Sequence, residues 1–333
     1  MENIEKDFNQ LLQAVTILQT ALNVSFSEAL TETFDNLETN RIKVDLGAPD
    51  QATVTRLSQL YQALDYDHWS MGTKVKVFTL LSLKAVNEDG LDANQMPTPP
   101  AIATLMALIM NALLPKTPQT IVDPAIGTGN LLFSVVSQLA TANHSKNEFK
   151  LVGIDNDEKM LNLADVAAHL QQLPVELYCQ DALTPWMTDA PAVVVSDLPI
   201  GYYPIDENAA HFATKASKGH SLAHYLLTEQ IIKNLQPAGW GFLLVPKDMI
   251  TGRNSQDFMS WLSKKVFIKA LIELPDDLFK NKFNQKEILV FQNHGDNARA
   301  SEVLLTKIAS LKNENAIVKL NVELHEWYTK NYR

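Results

Sequence analysis

A chain of 333 residues exceeds one average domain, so two domains, or one large α/β domain with an appendage, are expected. Its formal charge of −10 argues against a nucleic-acid binder driven by bulk electrostatics, because phosphate contacts need Lys and Arg. The single cysteine, Cys179, excludes a disulfide framework and any multi-cysteine metal site, which fits a reducing compartment.

The chain begins "MENIEKDFNQ", polar and acidic, and no uninterrupted apolar run approaches roughly 18 residues, so a soluble, cytoplasmic protein without membrane contact is expected. From Ile4 to about Asn87 apolar residues recur at helical spacing: Leu11, Leu12, Val15, Leu18 and Leu22, then Leu57, Leu60, Tyr61 and Leu64, then Val77, Phe78, Leu81 and Leu83. Only "RIKVDL" (Arg41 to Leu46) alternates like a strand. Residues 1–94 therefore read as a mainly helical N-terminal domain, with no motif that carries chemistry, whose role is packing or binding a protein partner.

"NEDGLDANQMPTPP" (Asn87 to Pro100) is rich in turn formers and marks a boundary, after which residues 95–333 form the second domain. Apolar strand candidates follow at Thr120 to Val122, Lys150 to Ile154, Glu176 to Tyr178, Val193 to Ser196, Gly241 to Val245, Lys269 to Glu273 and Glu287 to Gln292. Helical stretches lie between most of them, around Leu131 to Leu139, Met160 to Leu170, Ala223 to Leu235 and Asp257 to Val266. Alternation of this kind implies an α/β fold with a mostly parallel sheet covered on both faces. The last two strands have only a loop between them, which predicts that the seventh enters antiparallel.

"TIVDPAIGTGNLLFSVVSQL" (Thr120 to Leu139) takes a strand through an acid and Pro to Gly-x-Gly and a helix. Gly127 and Gly129 allow close backbone approach to a ligand, and the helix N-terminus favours anions. Leu132 stands where a dinucleotide fingerprint has its third Gly, and no Walker lysine follows. A plain strand-to-helix turn accounts for the same residues. The next strand ends in Asp155, where an acid can accept both hydroxyls of a ribose, and the one after it leads to Asp181, placed to accept from an adenine amino group. "VVVSDLPIGYYP" adds a fourth acid-tipped strand at Asp197.

In this order the segments resemble the class I S-adenosylmethionine-dependent methyltransferases, and within them the adenine-amino DNA methyltransferases of the type I restriction-modification kind. "QMPTPPAIATLMA", "DPAIGTGNLL", "GIDND", "QDAL" and "SDLPIGYYP" are similar to that family's successive elements, and the resemblance covers roughly Gln95 to Asn293. It implies the Rossmann-like methyltransferase fold and S-adenosylmethionine as cofactor. By position, Thr98 would cover the methionine end, although an N-cap role with Pro99 in the first turn fits it equally. Asp123, Ala125, Gly127, Thr128, Gly129 and Asn130 would cradle the amino-acid part, Asp155 and Asn156 the ribose, and Asp181 with Ala182 the adenine. Asp197 and the Leu198 carbonyl, stiffened by Pro199, would accept both hydrogens of the target amino group.

Ile200 and Leu198 depart from the family's Asn/Asp-Pro-Pro-aromatic loop, and Tyr202 or Tyr203 would have to supply the stacking ring. Three readings stay open: an adenine-amino methyltransferase, a cofactor-binding protein with a decayed loop that acts through a partner, and an N-methyltransferase of a protein glutamine. Residues 1–94 hold fourteen acids against seven Lys/Arg, whereas 212–286 hold eleven Lys/Arg against six acids. Lys215, Lys218, Lys247, Arg253, Lys280, Lys282 and Lys286 are therefore expected to rim the carboxyl edge of the sheet as a modest cationic collar that suits DNA. His220 and His224 lie one helical turn apart, but no third ligand is evident and no metal is expected.

Overall fold

A computed structural model describes residues 4–114, 120–142, 149–252, 255–279 and 285–332. Along the chain run α1 (Ile4–Leu22), α2 (Phe26–Glu38), α3 (Gln51–Leu64), α4 (Met71–Glu88), α5 (Pro100–Leu113), β1 (Thr120–Asp123), α6 (Asn130–Ala142), β2 (Lys150–Asp155), α7 (Glu158–Gln171), β3 (Val175–Cys179) and β4 (Val193–Asp197). There follow the short α8 (Asp206–Ala209), α9 (Ala223–Asn234), β5 (Trp240–Pro246), the short α10 (Lys247–Thr251), α11 (Ser255–Lys265), β6 (Val266–Glu273), β7 (Lys286–Asn293), β8 (Leu304–Lys307) and α12 (Glu314–Tyr332). Contacts divide the chain into two compact units. The first holds Met1–Pro97, Gly127–Asn130 and Asp157–Pro174, and the second holds Thr98–Ile126, Leu131–Asn156 and Val175–Arg333. Among the described residues, no helix is long and apolar enough to cross a membrane.

In the first unit, α1 buries Leu11, Ala14, Val15 and Leu18, the stripe that its 3.6-residue periodicity predicts. Ser25 starts α2 with a capping box: its hydroxyl accepts from the Glu28 amide, and the Glu28 carboxylate accepts from the Ser25 amide at 2.9 Å. Asp89, the C-cap of α4, anchors the same end by accepting from the amides of Phe26 at 2.7 Å and Ser27 at 2.9 Å. Asp50 and Ser70 cap α3 and α4. α7 packs on α2 and α4, and Lys159 reaches Glu28 at 3.3 Å while His169 reaches Glu38 at 3.3 Å.

One expected strand is absent there. Arg41 to Leu46 is turn and loop, with a single bridge between Asp45 and Ala48. Leu46 is fully exposed with φ of 50°. Alternation describes a half-buried strand only when a neighbouring strand pairs with it, and among the described residues of the first unit none does so.

In the second unit the described strands form an eight-stranded sheet in the order β3-β2-β1-β4-β5-β7-β6-β8. β1 to β5 run parallel, and β7 is antiparallel to both β5 and β6, as the sequence leads one to expect. β8 is an addition, a four-residue edge strand parallel to β6, whose half-exposed Leu-Leu-Thr-Lys leaves little pattern to read. α12 follows it and packs on α5, and the Trp327 indole nitrogen donates to the Glu302 carbonyl at 2.7 Å.

The core gathers Val122, Val152, Ile154, Val194, Leu243, Val245, Leu289 and Phe291 of the strands with Leu227, Ile231, Phe258 and Leu262 of α9 and α11. Gly241 is required by close approach: a Cβ there would lie 2.4 Å from the ring of Phe291, its partner on β7. The chain winds outward from β1 to β3, then returns to β4 on the other side of β1. Open α/β sheets bind ligands at the carboxyl ends of the strands flanking such a reversal.

Candidate functional site

That edge is where the acids stand. Asp123, Asp155 and Asp197 are the last residues of β1, β2 and β4, and Asp181 follows β3 by two residues. β1, β2 and β4 are mostly buried up to their tips, β3 is a half-exposed edge strand, and an acid stands at or just beyond each carboxyl end. Asp123 is 1% exposed and accepts from the Ser196 hydroxyl at 2.7 Å and the Ala125 amide at 3.1 Å. Burial pushes its carboxyl up to about 7, and the charges of Asp197 and Asp155 push in the same direction. The sheet tip is thus a cluster of carboxylates that a cation would relieve.

Around Asp155, the Gln180 amide donates to the Asp155 carbonyl and the Ile126 amide to the Ile154 carbonyl, both at 3.0 Å, which fixes the β2 tip. Asn156 is exposed beside it. Asp181 accepts from the Leu183 amide at 2.9 Å and from the Tyr203 hydroxyl, while the Ala182 carbonyl accepts from the Trp186 indole at 2.8 Å. The glycine turn belongs by its contacts to the first unit. Gly127 and Gly129 have φ of +52° and +76°, the left-handed region that favours glycine, and Thr128 between them is buried. Asn130 opens α6.

The Asp197 loop is pinned on all sides. The Leu198 side chain is fully buried and its amide donates to the Leu244 carbonyl at 2.9 Å, so the Leu198 carbonyl is held in place. Thr98 is not the N-cap of α5, a position that Pro99 takes; its hydroxyl donates instead to Asp197 Oδ2 at 2.8 Å. Lys286, the first residue of β7, donates its ammonium to Asp197 Oδ1 and, at 2.9 Å, to the Leu198 carbonyl. The Pro199 carbonyl faces His224, which is buried and held near 4, below its ordinary range, chiefly by desolvation.

The two tyrosines separate. Tyr203 is 8% exposed, packs with Ala209, Phe212 and Leu226, and ties the loop to Asp181, so it offers no ring to a base. Tyr202 is 70% exposed, its ring 6.3 Å from that of His220. His220 pairs with Asp206 at 3.0 Å and does not join His224.

Three of the cations expected to rim the sheet edge have partners among the described residues. Lys286 pairs with Asp197, Lys247 pairs with Glu273 at 3.1 Å and reaches Asp276 at 3.8 Å, and the Lys215 ammonium donates to the Ala210 carbonyl at 2.9 Å. Acids and carbonyls of neighbouring loops engage these cations. Lys218 is exposed, and Arg253, Lys280 and Lys282 lie outside the described residues. Sequence reading placed Lys286 on the rim and did not find its link to Asp197, 89 residues away. Ser196, which anchors Asp123, was legible only as part of its strand, and Tyr203, expected as one of two candidate stacking rings, anchors Asp181 instead.

The sequence model of the N-6 DNA methylase family matches residues 79–326. The Bacillus subtilis (strain 168) protein YtxK is 33% identical over 328 residues, covering 97% of each chain. A Listeria monocytogenes protein assigned as a class I S-adenosylmethionine-dependent methyltransferase is 31% identical, superposes with a TM-score of 0.86 and covers 98% of each chain. The type I restriction-modification methyltransferase subunit of Streptococcus thermophilus shares the fold, with a TM-score of 0.67 at 15% identity over 95% of this chain and 74% of its own. With the acid-tipped sheet, the returning strand order and a family match over most of its length, this chain belongs to the N-6 DNA methylase family, class I methyltransferases whose cofactor is S-adenosylmethionine.

Proposed function

We propose that the protein transfers a methyl group to an amino nitrogen, with the exocyclic amine of adenine in DNA as the target. The observation that carries the reading is the convergence of Asp197 Oδ1 and the Leu198 carbonyl on one nitrogen, that of Lys286. An aromatic amine is a poor nucleophile because its lone pair is delocalised. Two acceptors that take both N–H groups favour a tetrahedral nitrogen with an available lone pair. Positioning of this kind supplies most of what an in-line displacement needs.

The residues fit the cofactor. It supplies an electrophilic methyl on a sulfonium, and buried Asp123 beside the Asp155 and Asp197 charges favours a cation at the sheet tip. Asp155 and Asn156 would hold the ribose hydroxyls, and Asp181 with Ala182 the adenine. Asp123, Ala125, Gly127, Thr128, Gly129, Asn130 and Thr98 would serve the amino-acid end. Asp197, Leu198 and Pro199 would grip the target amine, and exposed Tyr202 would lie along its ring. The helical residues 1–94 would serve as a module for a protein partner.

A second reading draws on the same observation. Acceptors already filled by Lys286 suit a cofactor-binding protein that no longer transfers methyl groups. Labelled S-adenosylmethionine incubated with DNA, RNA and protein fractions separates these readings. The expected result is label in DNA that disappears with Asp197→Ala. Label in protein would point to a glutamine amide instead, and none anywhere to the second reading.

A further inference from the structure

The acceptor pair of the Asp197 loop already holds an amine. Lys286 begins β7, and β5 lies between β7 and β4. Asp197 pairs with Leu244, Leu244 with Ile288, and Lys286 with Pro246, so the lysine starts two residues beyond the level of Asp197 at the carboxyl edge. Its side chain is 14% exposed and that of Asp197 19%, so this is no loosely solvated surface pair. The Thr98 hydroxyl occupies the other carboxylate oxygen, and the buried Leu198 side chain fixes the carbonyl. The acceptors are therefore held in place.

We propose that this is a primary-amine subsite closed by Lys286, whose ammonium a substrate amino group must displace before it can be gripped. The proposal rests on the reading of the Asp197 loop as the amine-holding loop. It makes Lys286 the specificity-determining residue. Removing an ammonium from a half-buried carboxylate is unfavourable unless another anion receives it. An amino group carried on a phosphate backbone brings that anion, and a neutral nucleoside or a protein amide does not.

The subsite can be tested without cofactor, by calorimetric titration of methylammonium. Lys286→Ala opens the space and should bind the probe saturably. The wild type, and Lys286→Met, whose thioether end refills the space, should bind about tenfold more weakly, the factor expected when a charge-assisted hydrogen bond is denied. Lys286→Ala with Asp197→Ala should lose the binding again. Absence of binding in Lys286→Ala, or equal binding in all four proteins, overturns the proposal.

If Lys286→Ala does not fold, the wild type supplies the measurement. Reductive methylation of Lys286, followed by mass spectrometry, should be slow and should accelerate about tenfold on adding a single-stranded oligodeoxynucleotide, but not deoxyadenosine. No acceleration, or the same acceleration with the nucleoside, rejects the displacement by an anionic substrate. Amine binding without methyl transfer to any fraction would leave the subsite standing and remove the activity. Transfer to DNA with no amine binding in Lys286→Ala would do the reverse.

Discussion

Replacing Asp123 by Asn should remove a pH dependence from the stability of the protein. The carboxyl is 1% exposed, with an ordinary value of 3.8 raised to about 7 by burial. Between those values the folded chain holds a proton that the unfolded chain has released. Stability from this group is therefore fully present below 3.8 and is lost as pH rises through about 7. Three units at 1.36 kcal/mol each set the loss at about 4 kcal/mol as an upper figure.

His224 acts in the opposite direction, because its folded value of about 4 lies below the ordinary 6.5, so it adds stability as pH rises between them. The difference between wild type and Asp123→Asn isolates the aspartate. An Asn oxygen can still accept from Ser196 and Ala125, which limits other effects. Urea unfolding of both proteins from pH about 5 to about 8 should show the wild type falling relative to the variant by at least about 1 kcal/mol. A difference that stays constant across that range would refute the argument. The proposed place of cationic S-adenosylmethionine beside Asp123 predicts that its binding strengthens as pH rises through about 7, because the cation favours the ionised acid.

Gly241→Ala would set a methyl 2.4 to 2.8 Å from three ring atoms of fully buried Phe291 and should cost about 1–3 kcal/mol; an unchanged melting temperature would contradict the packing described. Asp155→Ala should weaken S-adenosylmethionine binding by about tenfold or more in calorimetry, as expected for lost hydrogen bonds to a charged acceptor. Unaltered affinity there would remove the assignment of the ribose. Tyr203→Phe cuts the link between the Asp197 loop and Asp181, at a cost of about 1.5–3 kcal/mol. Its effect should appear in unfolding curves while cofactor affinity changes less, and a stability equal to wild type would count against that link.

Local sequence signals specify seven of the eight described strands in order and the acid at or just beyond four of their tips. These are short-range signals: apolar runs along the inner strands, and an acid at the end of a run. They suffice for the fold class and for the carboxyl edge, where open α/β sheets bind ligands. Alternation at Arg41 to Leu46 misled because periodicity says nothing about whether a partner strand exists. β8 was missed because a half-exposed edge strand of four residues carries almost no pattern.

Long-range packing sets the partners of the acids. Tyr202 and Tyr203 are adjacent and chemically identical, yet packing against Phe212 and Leu226 buries one and leaves the other in solvent. Thr98, expected to cover the methionine end of the cofactor or to cap a helix, is a donor to Asp197, 99 residues away. Lys286 looked like a rim cation, and only the antiparallel register of β7 on β5 delivers its ammonium to the Asp197 loop. A slip of one residue would turn it to the opposite face. Local composition fixes which groups stand at the sheet edge, but sheet register fixes which of them meet, and register is set by pairings between residues far apart in the chain.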